Sequence, residues 1–170
     1  TKLLEKTRLD AKHSFYGKSK INCEKIIKKY SKKIEKIIIL RSCGFIEGGG
    51  IIDYIQKQIK ANKEILLYRN GKVVRDYISV NDIIDLKLIK LKKKIIKPIT
   101  TINVGSKNLI NTKKIVFIIS KILNKKFKLI LSDKKIGLPN TKLNIKLAKK
   151  MFNYNPKSFN HNLKVYLKKL

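Results

Sequence analysis

The sequence predicts an α/β fold, because segments with the residue spacing of strands alternate with segments with the spacing of helices. Short β-branched runs such as Ile37–Leu40 are typical of buried parallel strands. Apolar residues three and four positions apart, with lysines between them, predict amphipathic helices. With 170 residues, of which 43% are hydrophobic, the chain is long enough to bury a core of its own.

The elements of the first half follow from this spacing and from the turn residues between them. In order, they are a helix over residues 17–34, a strand over 37–40, a glycine-rich loop over 41–50 and a helix over 51–62. The Asn70-Gly71 pair lies between two apolar runs and predicts a β-hairpin. Ser79, followed by Asp82 three residues later, is the predicted N-cap of the next helix.

The second half continues the alternation of helices and strands. The predicted elements are a helix over residues 81–94, a strand over 100–105, an amphipathic helix over 111–124, a strand over 127–131 and two short helices near 142–151 and 158–169. The Asn155-Pro156 pair separates the last two helices, because a proline disfavours helical backbone in the residue before it.

The formal net charge of +31 allows two interpretations. A surface that binds nucleic acid or anionic lipid is one of them. The other is coding bias, since all but four of the 42 basic residues are lysines, scattered over every segment and accompanied by many isoleucines and asparagines. Arginine, which is favoured for bidentate phosphate recognition, is scarce. We therefore expect weak nonspecific polyanion binding and no dedicated nucleic-acid role.

Cysteine, histidine and hydropathy patterns indicate no metal site and no membrane span. Cys23 and Cys43 do not have metal-ligand spacing, and His13 and His161 lie far apart. No apolar run approaches the roughly 18–20 residues that span a bilayer. The first residues do not have the apolar core of an export signal. Free thiols without an export signal predict a cytoplasmic location.

Tyr16 and Lys20 form the first motif that could carry chemistry. Because they are four residues apart, they project from one face of the predicted helix. An ammonium beside a phenol favours the phenolate, and such a tyrosine can exchange a proton with a substrate hydroxyl. In a lysine-rich helix the same pair also arises as an ordinary surface contact, so the motif depends on its context.

The order of further motifs supplies that context. After the Tyr16 helix come the strand ending in Leu-Arg, a glycine cluster and a segment rich in charged and β-branched residues. In full, the sequence reads Tyr16-Gly17-Lys18-Ser19-Lys20 with Glu24, then Leu40-Arg41, Gly48-Gly49-Gly50, Arg75-Asp76-Tyr77-Ile78-Ser79-Val80-Asn81-Asp82 and Asn103-Val104-Gly105-Ser106. This order resembles the nucleotide-sugar epimerases and dehydratases of the extended short-chain dehydrogenase/reductase family, and the resemblance covers essentially the whole chain.

The resemblance implies an NAD- or NADP-dependent enzyme that binds a nucleotide-diphosphate sugar and transfers a hydride transiently. Tyr16 is then the catalytic acid/base, and Lys20 binds the nicotinamide ribose. Gly44 and Phe45 line the nicotinamide end of the cofactor, and Gly44 also faces the substrate. NAD and NADP are not distinguished. A homodimer through the Tyr16 helix is also implied, together with epimerase (isomerase) or dehydratase (lyase) chemistry in carbohydrate biosynthesis.

On the substrate side, the resemblance implies that Arg75 contacts the diphosphate, a task suited to a guanidinium fork. Lys134 and Gly137 occupy positions where the family often carries an arginine and an aspartate for the nucleotide. Gly44 replaces a frequent asparagine, and Asn144 replaces a frequent aspartate. Each of these departures is expected to weaken substrate binding.

The implied architecture is the C-terminal part of a Rossmann-like doubly wound sheet plus a small α/β substrate-binding domain. Residues 1–46 are expected to be the remnant of the NAD(P)-binding domain, and residues 47–170 to form mainly the substrate-binding region. The Gly-x-Gly-x-x-Gly fingerprint and the family's catalytic Ser/Thr are not found in the sequence. We therefore expect a portion of a longer enzyme that is inactive by itself.

Alternatives remain at the level of function and of single residues. The chain could be a basic nucleic-acid-binding module or a degenerate partner subunit. Arg41 could form a structural ion pair instead of lining the cofactor site. Asp82 is interpreted as a capping residue, and Asp76 and Tyr77 as structural.

Overall fold

The computed structural model describes residues 2–6, 14–86, 98–135 and 142–169, and within them the α/β class is confirmed. The strands are β1 (Lys2–Leu3), β2 (Ile37–Ser42), β3 (Gly44–Phe45), β4 (Glu64–Leu67), β5 (Val74–Ile78), β6 (Ile99–Val104), β7 (Leu109–Asn111), β8 (Lys128–Leu131) and β9 (Lys142–Leu143). The α-helices are α1 (Phe15–Lys29), α2 (Ile51–Lys60), α3 (Val80–Ile84), α4 (Thr112–Leu123), α5 (Lys146–Phe152) and α6 (Phe159–Lys168).

Most strand pairs are parallel, as expected when helices connect the strands. Strand β2 pairs with β6, β4 with β8, and β1 with β9, all in parallel. Strand β5 lies between β3, which is parallel to it, and β7, which is antiparallel. In the longest pair, β2 and β6 align from Ile37 opposite Ile99 to Ser42 opposite Val104. Their carboxyl ends therefore meet at one edge, where α/β proteins bind ligands.

The predicted hairpin around Asn70-Gly71 is wrong. Strands β4 and β5 lie in different sheets and pair with β8 and with β3 and β7. Residues Arg69–Gly71 form a 3₁₀ turn in which Arg69 and Asn70 donate backbone hydrogen bonds to Lys134 and Ser132. The turn thus directs the chain toward the end of β8 instead of folding β5 back onto β4.

The other predicted elements agree with the structure, with shifts at their ends. The first helix ends at Lys29, five residues early, because a 3₁₀ turn over Ser31–Lys33 follows Tyr30. Helix α3 ends at Ile84, with Asp85 as its C-cap, and residues 87–94 of the predicted helix lie outside the described residues. Residues 142–143 form a strand before α5 begins.

In the part of the chain that the structure describes, two apolar clusters form the core. One joins α2, α4 and α6 to β4 and contains the fully buried residues Ile55, Ile119 and Leu163. The other packs the ends of β5 and β6 against α5 and contains Ile102 and Ala148. Burial of this apolar surface is the main force that holds these elements together.

Among the described residues we find no candidate membrane span and no cluster of metal-ligating side chains. Within them, no helix combines the length and hydropathy that crossing a bilayer requires. No three side chains of histidine, cysteine, aspartate or glutamate lie close enough there to hold a metal ion. Cys23 and Cys43 are free thiols, and burial raises the pKa of the Cys43 thiol. The predicted cytoplasmic location stays a prediction.

Candidate functional site

Tyr16 and Lys20 lie together near the start of α1. Ser14 caps the helix by accepting a hydrogen bond from the Gly17 amide at 3.0 Å, and Ser19 donates to the Tyr16 carbonyl at 2.8 Å. The Lys20 ammonium lies 5.3 Å from the centroid of the Tyr16 ring, within cation–π range. Tyr16 is 73% exposed. The phenol and the ammonium are therefore paired and open to a ligand.

Arg41 is held by an ion pair, as one of the two interpretations of this residue expected. Its Nε and one terminal nitrogen donate to the two carboxylate oxygens of Glu24, each at 2.8 Å. Its other terminal nitrogen donates to the Glu5 carbonyl at 2.8 Å. The guanidinium lowers the pKa of Glu24, and the hydrogen bond to Glu24 raises the pKa of Arg41. Arg41 is thus a structural link between α1 and β2.

Gly44 and Phe45 form the short strand β3, which pairs with Tyr77 and Ile78 of β5. A Cβ atom built on Gly44 would lie 3.0 Å from two ring carbons of Tyr77, closer than such contacts normally allow. An asparagine at this position would therefore require the Tyr77 ring to move. Both residues of β3 are exposed beside the strand that carries Arg75.

The glycine-rich loop after β3 is held by the Glu47 side chain before its glycines and by the start of α2 at its end. Before them, the Glu47 carboxylate accepts hydrogen bonds from the Ser79 hydroxyl at 2.5 Å and from the Val80 amide at 3.1 Å. Residues Gly48–Gly50 all have positive φ angles, which glycine adopts without strain. The last of the three, Gly50, is the N-cap of α2. The role of Glu47 was not predicted, because nothing in the sequence links it to residues more than thirty positions away.

Asp76 and Asp82 have structural roles, which confirms their interpretation from the sequence. Asp76 accepts hydrogen bonds from the amide and the hydroxyl of Ser106 and from the Lys107 amide. Asp82 completes a capping box with Ser79. Its carboxylate also accepts from Asn162 at 2.7 Å and from the Lys157 amide at 3.0 Å.

Tyr77 is likewise buried, and its ring contacts the Phe159 ring at 5.8 Å between centroids. Burial raises the pKa of Tyr77. Asp76, Asp82 and Tyr77 are therefore all buried, and of the three only Tyr77 reaches the wall of the cleft that contains Arg75.

Arg75 lies on β5 in an open cleft of about 180 Å³. The cleft is bounded by the start of α2, the end of β4 and the start of α4. Its lining residues are Ile51, Leu66, Leu67, Tyr68, Val73, Arg75, Tyr77 and Thr112. The lining is thus mostly apolar and aromatic, with one guanidinium. Tyr68 and Thr112 were not predicted to line a cleft with Arg75, because they lie on separate elements.

Lys134 lies in the segment after β8, close to the turn that follows β4. Its carbonyl accepts a hydrogen bond from the Arg69 amide at 3.1 Å, and its amide donates to Ser132. Since Tyr68 lines the cleft and precedes Arg69, the backbone of Lys134 lies near one end of that cleft. Gly137 lies outside the described residues.

Comparison with known proteins gives one family and one fold. The model of the NAD dependent epimerase/dehydratase family matches residues 2–105. No curated protein matches the chain. Solved structures do: a UDP-glucuronic acid 4-epimerase from Bacillus cereus in complex with NAD superimposes with a TM-score of 0.81 at 24% identity, over 99% of this chain and 56% of that one.

Two further structures give the same result. A dTDP-glucose 4,6-dehydratase from Bacillus anthracis in complex with NAD has a TM-score of 0.78 at 23% identity, over 99% of this chain and 55% of its own. A UDP-glucose 4-epimerase from Thermotoga maritima, solved with UDP-glucose, has a TM-score of 0.75 at 19% identity, over 91% and 53%. The described fold is therefore Rossmann-like, and the chain spans about half the length of these structures.

Proposed function

Since the chain belongs to the NAD-dependent epimerase/dehydratase family, we propose that it carries the acid/base pair and the substrate cleft of a nucleotide-diphosphate-sugar epimerase or dehydratase. The main support is that the exposed Tyr16–Lys20 pair and the Arg75 cleft supply the two kinds of chemistry that such a reaction needs. One is proton transfer to and from a sugar hydroxyl. The other is recognition of a diphosphate.

Tyr16 is the proposed acid/base. As the phenolate, its oxygen accepts the proton of a sugar hydroxyl as hydride leaves the same carbon, and the neutral phenol later returns the proton. Lys20, whose ammonium lies 5.3 Å from the Tyr16 ring centroid, stabilises the phenolate that is present before the proton is accepted and after it is returned. Both side chains are exposed at the start of α1, so a substrate can reach them.

The donors of α1 fit the nicotinamide ribose of NAD or NADP. Lys20 is exposed and offers three N–H donors, which suit the two hydroxyls of a ribose. When bound, the cofactor supplies the ring that takes and returns the hydride. Gly44 and Phe45 lie on a short exposed strand beside β5, and we propose that they line the nicotinamide end and, for Gly44, the sugar.

Arg75 is the proposed diphosphate ligand. The first residue of α2, Ile51, lines the same cleft, so the positive end of that helix dipole lies on the same side as the guanidinium. Tyr68 offers a partly exposed ring for a nucleotide base. Lys134, whose backbone carbonyl accepts from the Arg69 amide near the end of the cleft, is proposed as a second cation. Similar solved structures hold UDP-glucose, and another is a dTDP-glucose 4,6-dehydratase, so uridine and thymidine diphosphate sugars are the proposed substrates.

Homodimerisation through α1 is a further part of the proposal. The helix and the turn after it expose apolar side chains at Ile26, Ile27, Tyr30 and Ile34. A second copy of this face would cover them and form a helical bundle. Because the chain spans about half the length of its solved relatives, we also propose that it binds substrate by itself without turning it over.

Calorimetric titration of the chain with UDP-glucuronic acid and dTDP-glucose tests the function. We expect saturable binding to the wild type, and a Kd about 10- to 100-fold higher for Arg75→Gln, because a charge-assisted hydrogen bond contributes about 1.5–3 kcal/mol. The matched control is Lys57→Gln, which removes the same charge from an exposed site on α2. Equal effects of the two substitutions, vanishing with salt, would indicate only nonspecific polyanion binding.

A further inference from the structure

Helix α1 contacts the rest of the protein through one narrow stripe. None of its residues is fully buried. The partly buried ones are Gly17, Ile21 and Glu24, spaced four and three residues apart on one face. The spacing is that of a helix lying on a surface, but the stripe is too small to bury much apolar area. The attachment of α1 therefore depends on polar contacts more than that of the other long helices.

The shortest described polar contacts between α1 and the sheet are those of Glu24 with Arg41. The two side chains are only 14% and 17% exposed, and both carboxylate oxygens are within 2.8 Å of the guanidinium. A bidentate pair of this kind fixes orientation as well as distance. The remaining arm of Arg41 donates to the Glu5 carbonyl, so one guanidinium joins α1, β2 and the segment after β1.

This junction lies at the carboxyl edge of the sheet, the edge at which α/β proteins bind ligands. Arg41 is the second-last residue of β2, and its register partner on β6 is Asn103. The Asn103 amide donates to the Glu5 carboxylate at 3.3 Å, and its side chain donates to the Leu3 carbonyl at 3.1 Å. The polar contacts are thus continuous from β6 through Glu5 and Arg41 to α1.

We propose that Arg41 is a positioning residue, which docks α1 through Glu24 and thereby orients Tyr16 and Lys20 at the carboxyl edge of the sheet. Lys20 lies about one helical turn before Glu24, and Tyr16 about two turns before it, or ~12 Å along the axis. A tilt of α1 at Glu24 therefore displaces the phenol directly. The inference rests on the function proposed for Tyr16 and Lys20.

Hydrogen exchange of the chain, resolved by residue, tests the docking. In Arg41→Gln, amides of α1 should exchange about tenfold faster, because a hydrogen bond to a charged group is worth about that factor. Amides of α2 and α4 should keep their rates. Arg41→Lys should restore part of the protection, since an ammonium cannot form both bonds to the carboxylate.

Lys28→Gln is the matched control. Lys28 lies 3.9 Å from the same Glu24 carboxylate but belongs to α1 itself, so its removal takes away a neighbouring charge without undocking the helix. We expect unchanged exchange in this variant. If Arg41→Gln does not fold, Glu24→Gln gives the same comparison, because it keeps the shape of the side chain and removes its charge.

A second readout reports on the catalytic pair. The ring current of Tyr16 should shift the proton resonances of the Lys20 side chain in the wild type. Because an undocked α1 unfolds locally more often, these shifts should diminish in Arg41→Gln and persist in Lys28→Gln. Unchanged α1 exchange and unchanged Lys20 shifts in both Arg41→Gln and Glu24→Gln would overturn the proposal. Parallel acceleration in α2 and α4 would also overturn it, since that indicates a merely structural role. Neither measurement uses a nucleotide sugar, so failure here is distinct from failure of the proposed function.

Discussion

Helices α1 and α2 have similar chemistry in sequence but different positions in the protein. Both carry isoleucines at helical spacing between lysines. Helix α2 buries Ile52, Ile55 and Ile59 almost completely, whereas α1 leaves Ile26 57% exposed and buries no residue. The proposed substrate cleft therefore begins on a helix fixed by apolar burial, and the proposed acid/base pair lies on a helix attached mainly by an ion pair.

This difference predicts different responses to perturbation. Apolar burial depends little on salt and pH, whereas an ion pair depends on the ionisation of both partners. Substitutions in the α2–α4 core should lower the stability of the whole protein. Substitutions at the Glu24–Arg41 pair should act mainly on α1.

The largest expected effect is in the apolar core. Ile55→Ala removes a fully buried side chain between α2 and its neighbours, and should lower the free energy of unfolding by about 2–5 kcal/mol. Ile26→Ala on α1 should change it by less than about 0.5 kcal/mol. Urea denaturation of both variants measures the contrast, and equal losses would refute the distinction between the two helices.

A buried polar group should have the next largest effect. Asp76→Ala leaves the Ser106 amide and hydroxyl and the Lys107 amide without their acceptor, at a cost of about 2–4 kcal/mol. The control is Asp85→Asn, which removes the same charge from an exposed position at the end of α3. Urea denaturation of the two variants measures the difference in their free energies of unfolding. If Asp76→Ala lowers this free energy no more than the control does, Asp76 does not have the proposed structural role.

Removal of the hydroxyl should lower the stability of the protein at one buried or partly buried tyrosine and not at another. Tyr166 on α6 donates to Asp53 on α2 at 2.5 Å, so Tyr166→Phe should cost about 1 kcal/mol. The hydroxyl of Tyr154 is buried and has no hydrogen-bond partner among the described residues, so Tyr154→Phe should be neutral or stabilising. Thermal denaturation of both variants measures the change in stability relative to the wild type. Similar losses of stability in the two variants would show that the Tyr154 hydroxyl has a hydrogen-bond partner.

The Tyr166 hydrogen bond also predicts a dependence on alkaline pH. The bond to Asp53 raises the pKa of Tyr166 to about 12 from the ordinary value of 10.0. A raised pKa means that the stabilisation is complete below pH 10 and is lost as pH rises toward 12. The difference in stability between the wild type and Tyr166→Phe should therefore shrink over that range, and a constant difference would contradict the cause.

The smallest expected effect is local to α1. The pKa of Glu24 is lowered from 4.5, chiefly by the hydrogen bond to Arg41, so the stabilisation is present above pH 4.5 and is lost as pH falls through the lower folded value. Amide exchange of α1, corrected for its intrinsic pH dependence, should lose protection below pH 4.5 while α4 keeps it. In Glu24→Gln this acid-dependent change should disappear, and its persistence would point to another carboxylate.

Much of the fold could be predicted because its signals are local. The helical spacing of apolar residues predicts α4, and the Ser79–Asp82 pair predicts the start of α3. Both signals involve residues only a few positions apart, and both predictions agree with the structure. The hairpin failed because Asn70-Gly71 indicates a turn but not the partner of the following strand. Its partners are Gly44–Phe45, which precedes it by about thirty residues, and Leu109–Asn111, which follows it by more than thirty.

The site was predictable to a similar extent. Helical spacing places Lys20 beside Tyr16, which the structure bears out as a contact. The sequence allowed two roles for Arg41, lining the cofactor site or forming a structural ion pair. The contact with Glu24 in the structure shows that Arg41 forms the ion pair. Tyr68 and Thr112 line the cleft from elements that are far apart in sequence and pack together in the fold. Their spacing in the sequence therefore does not reveal that they line one cleft.

A crystal structure of the chain with UDP-glucuronic acid tests the proposed function most directly. We expect the diphosphate to lie within about 3 Å of the Arg75 guanidinium and the hexose to be directed toward the Tyr16 hydroxyl. A sugar nucleotide bound with its hexose directed away from Tyr16, or phosphates held by scattered surface lysines, would contradict it.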